Sequence, residues 1–76
     1  MTKYERIRSL REEKDMTQAE LGKAINVPQR TYAYYEAGER MIPPQVLRDL
    51  ALYHDVSVDY ILELTDDKMY YSRRKR

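Results

Sequence analysis

An all-α fold, a compact domain of five short helices, is what this 76-residue sequence predicts. Three observations carry that expectation. Apolar residues recur three and four positions apart, the period of a helix with one buried face, and not in the alternation of a strand. Helix-start signals stand at Thr2, Thr17, Pro28, Pro44 and Ser57. The residues that break or bend a chain, Asn26 to Pro28 and Gly38 to Pro44, fall between the periodic segments.

Thr2 and Glu5 have the spacing of a capping box, so a first helix is expected over residues 3–14. Tyr4, Ile7, Leu10 and Arg11 share one stripe of it. A charge on an apolar stripe is costly unless paired, so Arg11 either extends to solvent from the stripe edge or meets a partner across the core. Met16 is placed to plug the turn that follows. Thr17 and Glu20 form a second capping box, and Leu21, Ala24 and Ile25 give the second helix its buried stripe. Asn26 tolerates the left-handed conformation that ends a helix, and Pro28 presets φ for the next start. Tyr32 and Tyr35 turn inward from the third helix, which leaves Gln29, Arg30, Ala33 and Tyr34 outside; Gly38 ends it.

A fourth helix is expected over residues 44–54, with Val46, Leu47, Leu50, Ala51 and His54 on one side. His54 is the single histidine and reads as a core-edge residue, because no second metal ligand is in reach by spacing. Ser57 caps a fifth helix over residues 58–64, and Val56, Ile61 and one of Tyr60 or Leu64 close the core. Leu52, Val58 and Leu62 are more apolar surface than one small core requires, although single exposed aliphatics are common.

Residues 17–38 are the part with chemistry to offer. They form two short helices joined by a tight corner, and the second carries Gln, Arg and Tyr on its outer face. Such a helix suits the DNA major groove, since these side chains reach base edges. Gln29 can bridge N6 and N7 of adenine, and Arg30 can take O6 and N7 of guanine. Tyr34 can pack on a thymine methyl or bond a phosphate, and Thr31 is close enough to join. Each, taken singly, can equally be a solvated side chain.

At this point the sequence resembles a known family, the lambda-repressor and Cro-like (XRE) helix-turn-helix proteins. The resemblance rests on MTQAEL, on Gly22 where two helices must approach, on NVPQRTYAYYEAGER, and on VSVDYIL, and it extends to about Asp66. It implies that Gln18 anchors a backbone phosphate, that Arg11 pairs with Glu36, and that Arg40, in the loop after the third helix, contacts a phosphate instead of being an ordinary solvated charge. Two positions depart from the pattern: Tyr32 stands where Ile or Val is usual, and Asn26 where Gly is usual. A buried Tyr32 needs a partner for its hydroxyl.

Bulk properties narrow the alternatives without choosing among them. The net charge of +1 says nothing by itself about nucleic acid, for which a local basic patch matters more. There is no cysteine, which removes disulfides and thiolate metal sites. No apolar run approaches a membrane span, and charges interrupt the N-terminus, so a soluble cytoplasmic protein is expected. One histidine and two glycines leave no catalytic constellation or phosphate-cradling loop, and no cofactor is expected. Residues 1–66 read as one DNA-binding domain and 67–76 as a tail ending in Arg73, Arg74, Lys75 and Arg76, with Met69, Tyr70 and Tyr71 available to dock.

The sequence therefore points to a double-stranded DNA-binding transcription regulator, a repressor working as a homodimer on a palindromic operator. Val58, Tyr60 and Leu62 are the candidate dimer contact. The alternative is an antitoxin-like or anti-regulator module on the same fold whose chief partner is another protein.

Overall fold

The computed structural model describes residues 4–68. Five helices follow in order: α1 (Glu5–Glu13), α2 (Gln18–Ala24), α3 (Gln29–Ala37), α4 (Pro44–His54) and α5 (Val58–Ile61). Among the described residues there is no strand.

The core is assembled from one stripe of each helix. Ile7 and Leu10 of α1, Leu21 of α2, Tyr32 and Tyr35 of α3, Leu50 and Ala51 of α4, and Ile61 of α5 are all buried, with Tyr4, Ile25, Ile42 and Val56 contributed from the connections. Tyr32 is the largest side chain sealed inside. Its hydroxyl meets no partner at full hydrogen-bond geometry, although Glu36 and Arg11 are near enough to act on it. Burial, followed by the Glu36 carboxylate, drives that phenol well above its usual titration range.

Local signals set most of the helix ends. The Thr17 hydroxyl accepts from the Glu20 amide at 3.0 Å while the Glu20 carboxylate accepts from the Thr17 amide at 2.8 Å, closing a full capping box. Ser57 caps α5 in the same sense, accepting from the Tyr60 amide. Gly38 closes α3 in the left-handed conformation, φ 76°, and the Glu39 amide returns to the Tyr34 carbonyl. Four other residues with positive φ, Asp15, Asn26, Asp55 and Glu63, lie in or beside the connections.

Three expectations are corrected. First, α1 starts at Glu5, later than the predicted residue 3, and has no side-chain cap. Tyr4 takes the capping position because its ring is needed in the core, where its hydroxyl accepts from the Ile42 amide at 3.3 Å; Thr2 lies outside the described residues. Second, Ala24 is exposed, at the edge of the α2 stripe. Third, α5 ends at Ile61 and not near residue 64. The backbone turns left-handed at Glu63, and Leu64 is 72% exposed, so Tyr60 rather than Leu64 packs against the core.

The chain beyond α5 folds back on the domain. The Ser57 amide donates to the Lys68 carbonyl at 2.8 Å, and the Lys68 ammonium approaches Glu13 of α1 at 3.6 Å. Asp67 and Lys68, the first residues of the expected tail, thus lie against α5 and α1; Met69 to Arg76 lie outside the described residues.

Candidate nucleic-acid interface

The α2–α3 corner depends on one glycine. A Cβ on Gly22 would stand 2.6 Å from the Val27 carbonyl oxygen, a separation at which backbone must move. The Gly22 carbonyl itself accepts from the Val27 amide at 2.7 Å, so the first helix of the pair is stitched to the corner by the residue that permits its approach. Asn26, at φ 62°, turns the chain, and Pro28 leads into α3. This fixes the direction in which α3 projects.

A buried ionic network holds α3 from behind. Arg11 of α1 forks onto Glu36, Nε to Oε2 at 2.7 Å and Nη2 to Oε1 at 3.1 Å. Its third donor, Nη1, takes the Met16 carbonyl at 2.8 Å. Gln18, the first residue of α2, donates Nε2 to Glu36 Oε1 at 3.0 Å. Burial alone would raise the Glu36 carboxyl, but hydrogen bonds from its neighbours and the Arg11 charge outweigh burial and hold it below the usual carboxylate range. Arg11 is correspondingly raised, chiefly by its hydrogen bond to Glu36. One carboxylate therefore ties three helices together. Beside this network an open groove of about 340 Å³ is lined by Arg8, Arg11, Gln18, Ala33, Glu36 and Ala37.

Outside the core, the remaining surface of α3 faces solvent. Gln29 and Arg30 are exposed, and Thr31, Ala33 and Tyr34 are half-buried. Arg40, in the following loop, lays its guanidinium over the Tyr34 ring, 4.8 Å from the centroid. Arg6, Arg8 and Arg11 each have a carboxylate partner. Among the described residues neither Arg30 nor Arg40 has one. The α3 face thus presents two unneutralised guanidiniums on a chain that is almost neutral overall.

Gln29, Arg30, Thr31 and Tyr34 all fall on α3, Arg40 meets Tyr34 from the loop beyond it, and Gln18 lies at the groove edge with its amide already turned toward Glu36. The candidate dimer residues sit elsewhere, on α5 and at its C-cap: Leu62 is 38% exposed, while Val58 and Tyr60 are half-buried against the core. One face of Tyr60 is occupied by Arg6, 4.3 Å from the ring centroid, with the Lys68 ammonium 5.8 Å away.

Two features had no sequence signal. Gln18 reaching Glu36 and Arg40 stacking on Tyr34 are tertiary contacts between residues whose spacing marks neither. His54 is buried at the core edge as expected, with both ring nitrogens unpartnered. Burial, assisted by the Lys14 charge and opposed by Glu13, pushes it down to about 4. Among the described residues no three His, Cys, Asp or Glu side chains converge to hold a metal, and no helix is long and apolar enough to cross a membrane.

An α-helical corner with a glycine at the crossing and an uncovered second helix defines a helix-turn-helix domain of the repressor type. The helix-turn-helix family profile matches residues 7–61, and the chain belongs to that family, in its XRE-type, lambda-repressor-like branch. It is 43% identical over 63 residues to YobD of Bacillus subtilis (strain 168), described as an uncharacterized HTH-type transcriptional regulator; the match takes in 83% of this chain and 56% of that protein. The chain thus spans little more than half the length of the curated relative. Among solved structures, the P22 c2 repressor in complex with synthetic operator 9T superposes with a TM-score of 0.76 at 30% identity, covering 83% of this chain and 96% of that one.

Proposed function

We propose that this domain is a sequence-specific, duplex-DNA-binding transcription regulator of the cytoplasm, a repressor that acts as a homodimer on a palindromic operator with α3 in the major groove. The observation that carries the reading is the outer face of α3. Gln29, Arg30 and Tyr34 leave a helix whose other side is locked into the core, and Arg30 and Arg40 are not neutralised by any carboxylate among the described residues. A rigid helix presenting hydrogen-bonding ends and unpaired positive charge meets both demands of a groove reader: base contacts that specify and charges that position. Likeness to a repressor whose structure holds a synthetic operator supports the same reading. Gln18 serves as a phosphate anchor, its amide orientation set by Glu36.

One such domain spans few base pairs, so useful affinity needs two α3 helices about 34 Å apart. Leu62, with Val58 and Tyr60, supplies the contact in this proposal. A second reading, a protein-binding module on the same fold, is favoured by Leu52 and Tyr53. Both are exposed on α4 beside a groove of about 430 Å³ that Ala24, Ile25, Asn26 and Asp49 complete.

Selection of bound fragments from a random duplex pool tests the function. Enrichment of a two-fold symmetric sequence supports it, and Arg30→Ala should then lower affinity by roughly 1–3 kcal/mol and relax preference at one base pair per half-site. Uniform weakening across all duplexes would instead make Arg30 a phosphate anchor. No enrichment, together with capture of a protein through the Leu52–Tyr53 face, would favour the second reading.

A further inference from the structure

Leu52 and Tyr53, on the last turn of α4, are 61% and 39% exposed beside the groove of about 430 Å³. Asp49 stands one turn earlier on the same helix and lines the same groove. It is half-buried, yet among the described residues it makes no ion pair. A carboxylate partly withdrawn from water at the rim of an apolar surface gains most from a cation that arrives with an apolar segment. The groove therefore suits a ligand with bulky apolar groups at one end and positive charge at the other.

The last described residue lies close to the apolar end of this groove. The Lys68 carbonyl accepts from the Ser57 amide, just beyond α4, at 2.8 Å, and the Lys68 ammonium is 3.6 Å from Glu13. Lys14, the residue after Glu13, brings its ammonium to 5.6 Å from the Tyr53 ring centroid. Lys68 and Tyr53 thus share the corner where the ends of α1 and α4 meet. Next in sequence come Met69, Tyr70 and Tyr71, then Ser72, then Arg73, Arg74, Lys75 and Arg76. Eight residues reach at most about 26–29 Å when extended, and Asp49 lies only about 6 Å along α4 from Tyr53. The order in the chain, apolar before basic, matches the order along the helix, Tyr53 before Asp49. Lys14 reinforces that order, since a cation beside Tyr53 disfavours the basic run there.

We propose that residues 69–76 seat in this groove of their own chain, with Met69, Tyr70 and Tyr71 on Leu52 and Tyr53 and the basic run at Asp49. The face offered above to a protein partner is then already taken, and the protein-binding reading loses its surface. The DNA reading neither supports nor needs this contact.

The full chain has no cysteine, so one engineered pair reports the contact. Ala24 is exposed and lines the groove. With Ala24→Cys and Tyr71→Cys together, mild oxidation should close a disulfide within one chain. Closure should be about tenfold faster than with Arg30→Cys and Tyr71→Cys, because a seated segment concentrates its thiol at the groove alone. Adding Asp49→Lys should slow closure, and Arg73→Glu with Arg74→Glu should then restore it. A second measurement leaves the chain free of cysteine. Met69→Ser with Tyr70→Ser should move the backbone amide resonances of residues 24–26 and 49–53 and leave those of α3 in place.

Equal closure rates at Ala24 and Arg30, or closure indifferent to Asp49→Lys, would overturn the proposal. So would a disulfide that forms only between two chains and grows with protein concentration, which would give the groove to a second copy. Unmoved resonances at residues 24–26 and 49–53 would also overturn it and return the face to a foreign partner.

Discussion

Two arginines of α1, five residues apart, make two very different joints. Arg11 reaches into the protein, forks onto a carboxylate that is 4% exposed, and clamps α1 to α3 and the start of α2. Arg6 reaches along the surface toward the far end of the chain. It donates to the carbonyls of Tyr60 at 2.9 Å and Thr65 at 2.6 Å and to Asp66 at 2.8 Å, while its guanidinium carbon sits over the Tyr60 ring. The side chain of Asp66 is 99% exposed. Both joints are arginine forks, but the first is built on a buried charge and the second mainly on backbone oxygens. A buried carboxylate cannot be left alone, whereas carbonyls released at the surface find water. The first joint therefore sets whether the domain folds, and the second sets how firmly one segment lies on it.

Removing one side of the buried joint should have the largest effect. Arg11→Ala strands the Glu36 carboxylate and should cost about 3–5 kcal/mol, much of the stability of a domain this size. The double variant with Glu36→Ala should lose less than the sum of the single losses in urea unfolding. Additive losses below about 1 kcal/mol each would put this joint on a level with an exposed pair and erase the contrast.

Acid attacks the buried side of the molecule in two stages, which sharpens the comparison. His54 is neutral in the fold, with its value lowered to about 4 from 6.5, so the unfolded chain takes up its proton first. Stability should fall as pH drops from 6.5 toward 4 and lose nothing further from this group below that. Each pH unit in the window is worth about 1.4 kcal/mol, so the loss is of the order of 3 kcal/mol. Glu36 is also lowered, so its contribution is complete above the ordinary carboxylate value near 4.5 and is lost as pH falls below it. His54→Leu should flatten the upper stage and leave the lower one, as followed by thermal unfolding at a series of pH values.

Arg6→Ala should cost less, about 1.5–3 kcal/mol, the range for hydrogen bonds to a charged group. Hydrogen exchange should quicken at the amides of Glu63 and Leu64, which bond to carbonyls of α5, while those of α2 and α3 keep their protection. Arg6→Lys should not restore the loss, because an ammonium cannot fork between two carbonyls while lying flat on a ring. Smallest of all should be Asp66→Asn, at most about 0.5 kcal/mol and vanishing in high salt.

The contrast also explains what could be read in advance. The Thr17–Glu20 box, the Ser57 cap, the start of α4 at Pro44 and the stop at Gly38 were legible because their causes lie within a few residues. The outward face of α3 followed from the helical period once Tyr32 and Tyr35 were assigned inward. The limits of α1 and α5 were not legible, for their causes are distant. Tyr4 is drawn into the core by the loop before α4, and the Tyr60 carbonyl near the end of α5 is taken by an arginine 54 positions upstream. Ala24 shows a different limit: the period marks a stripe but not its edge. At the candidate site, family resemblance supplied the Arg11–Glu36 pairing that the stripe alone left open, and nothing local foretold the stack of Arg40 on Tyr34.

The left-handed connections noted in the fold have a consequence for engineering. A side chain at positive φ costs an ordinary L-residue roughly 1–2 kcal/mol, which Asp and Asn partly recover through local bonding. Asp15, Asn26 and Asp55 belong to that tolerant class, but Glu63 does not. Glu63→Gly removes the penalty at a small cost in unfolded-chain freedom. The protein thus keeps a reserve of thermal resistance in a surface turn, open to a designer who wishes to toughen the domain without altering α3.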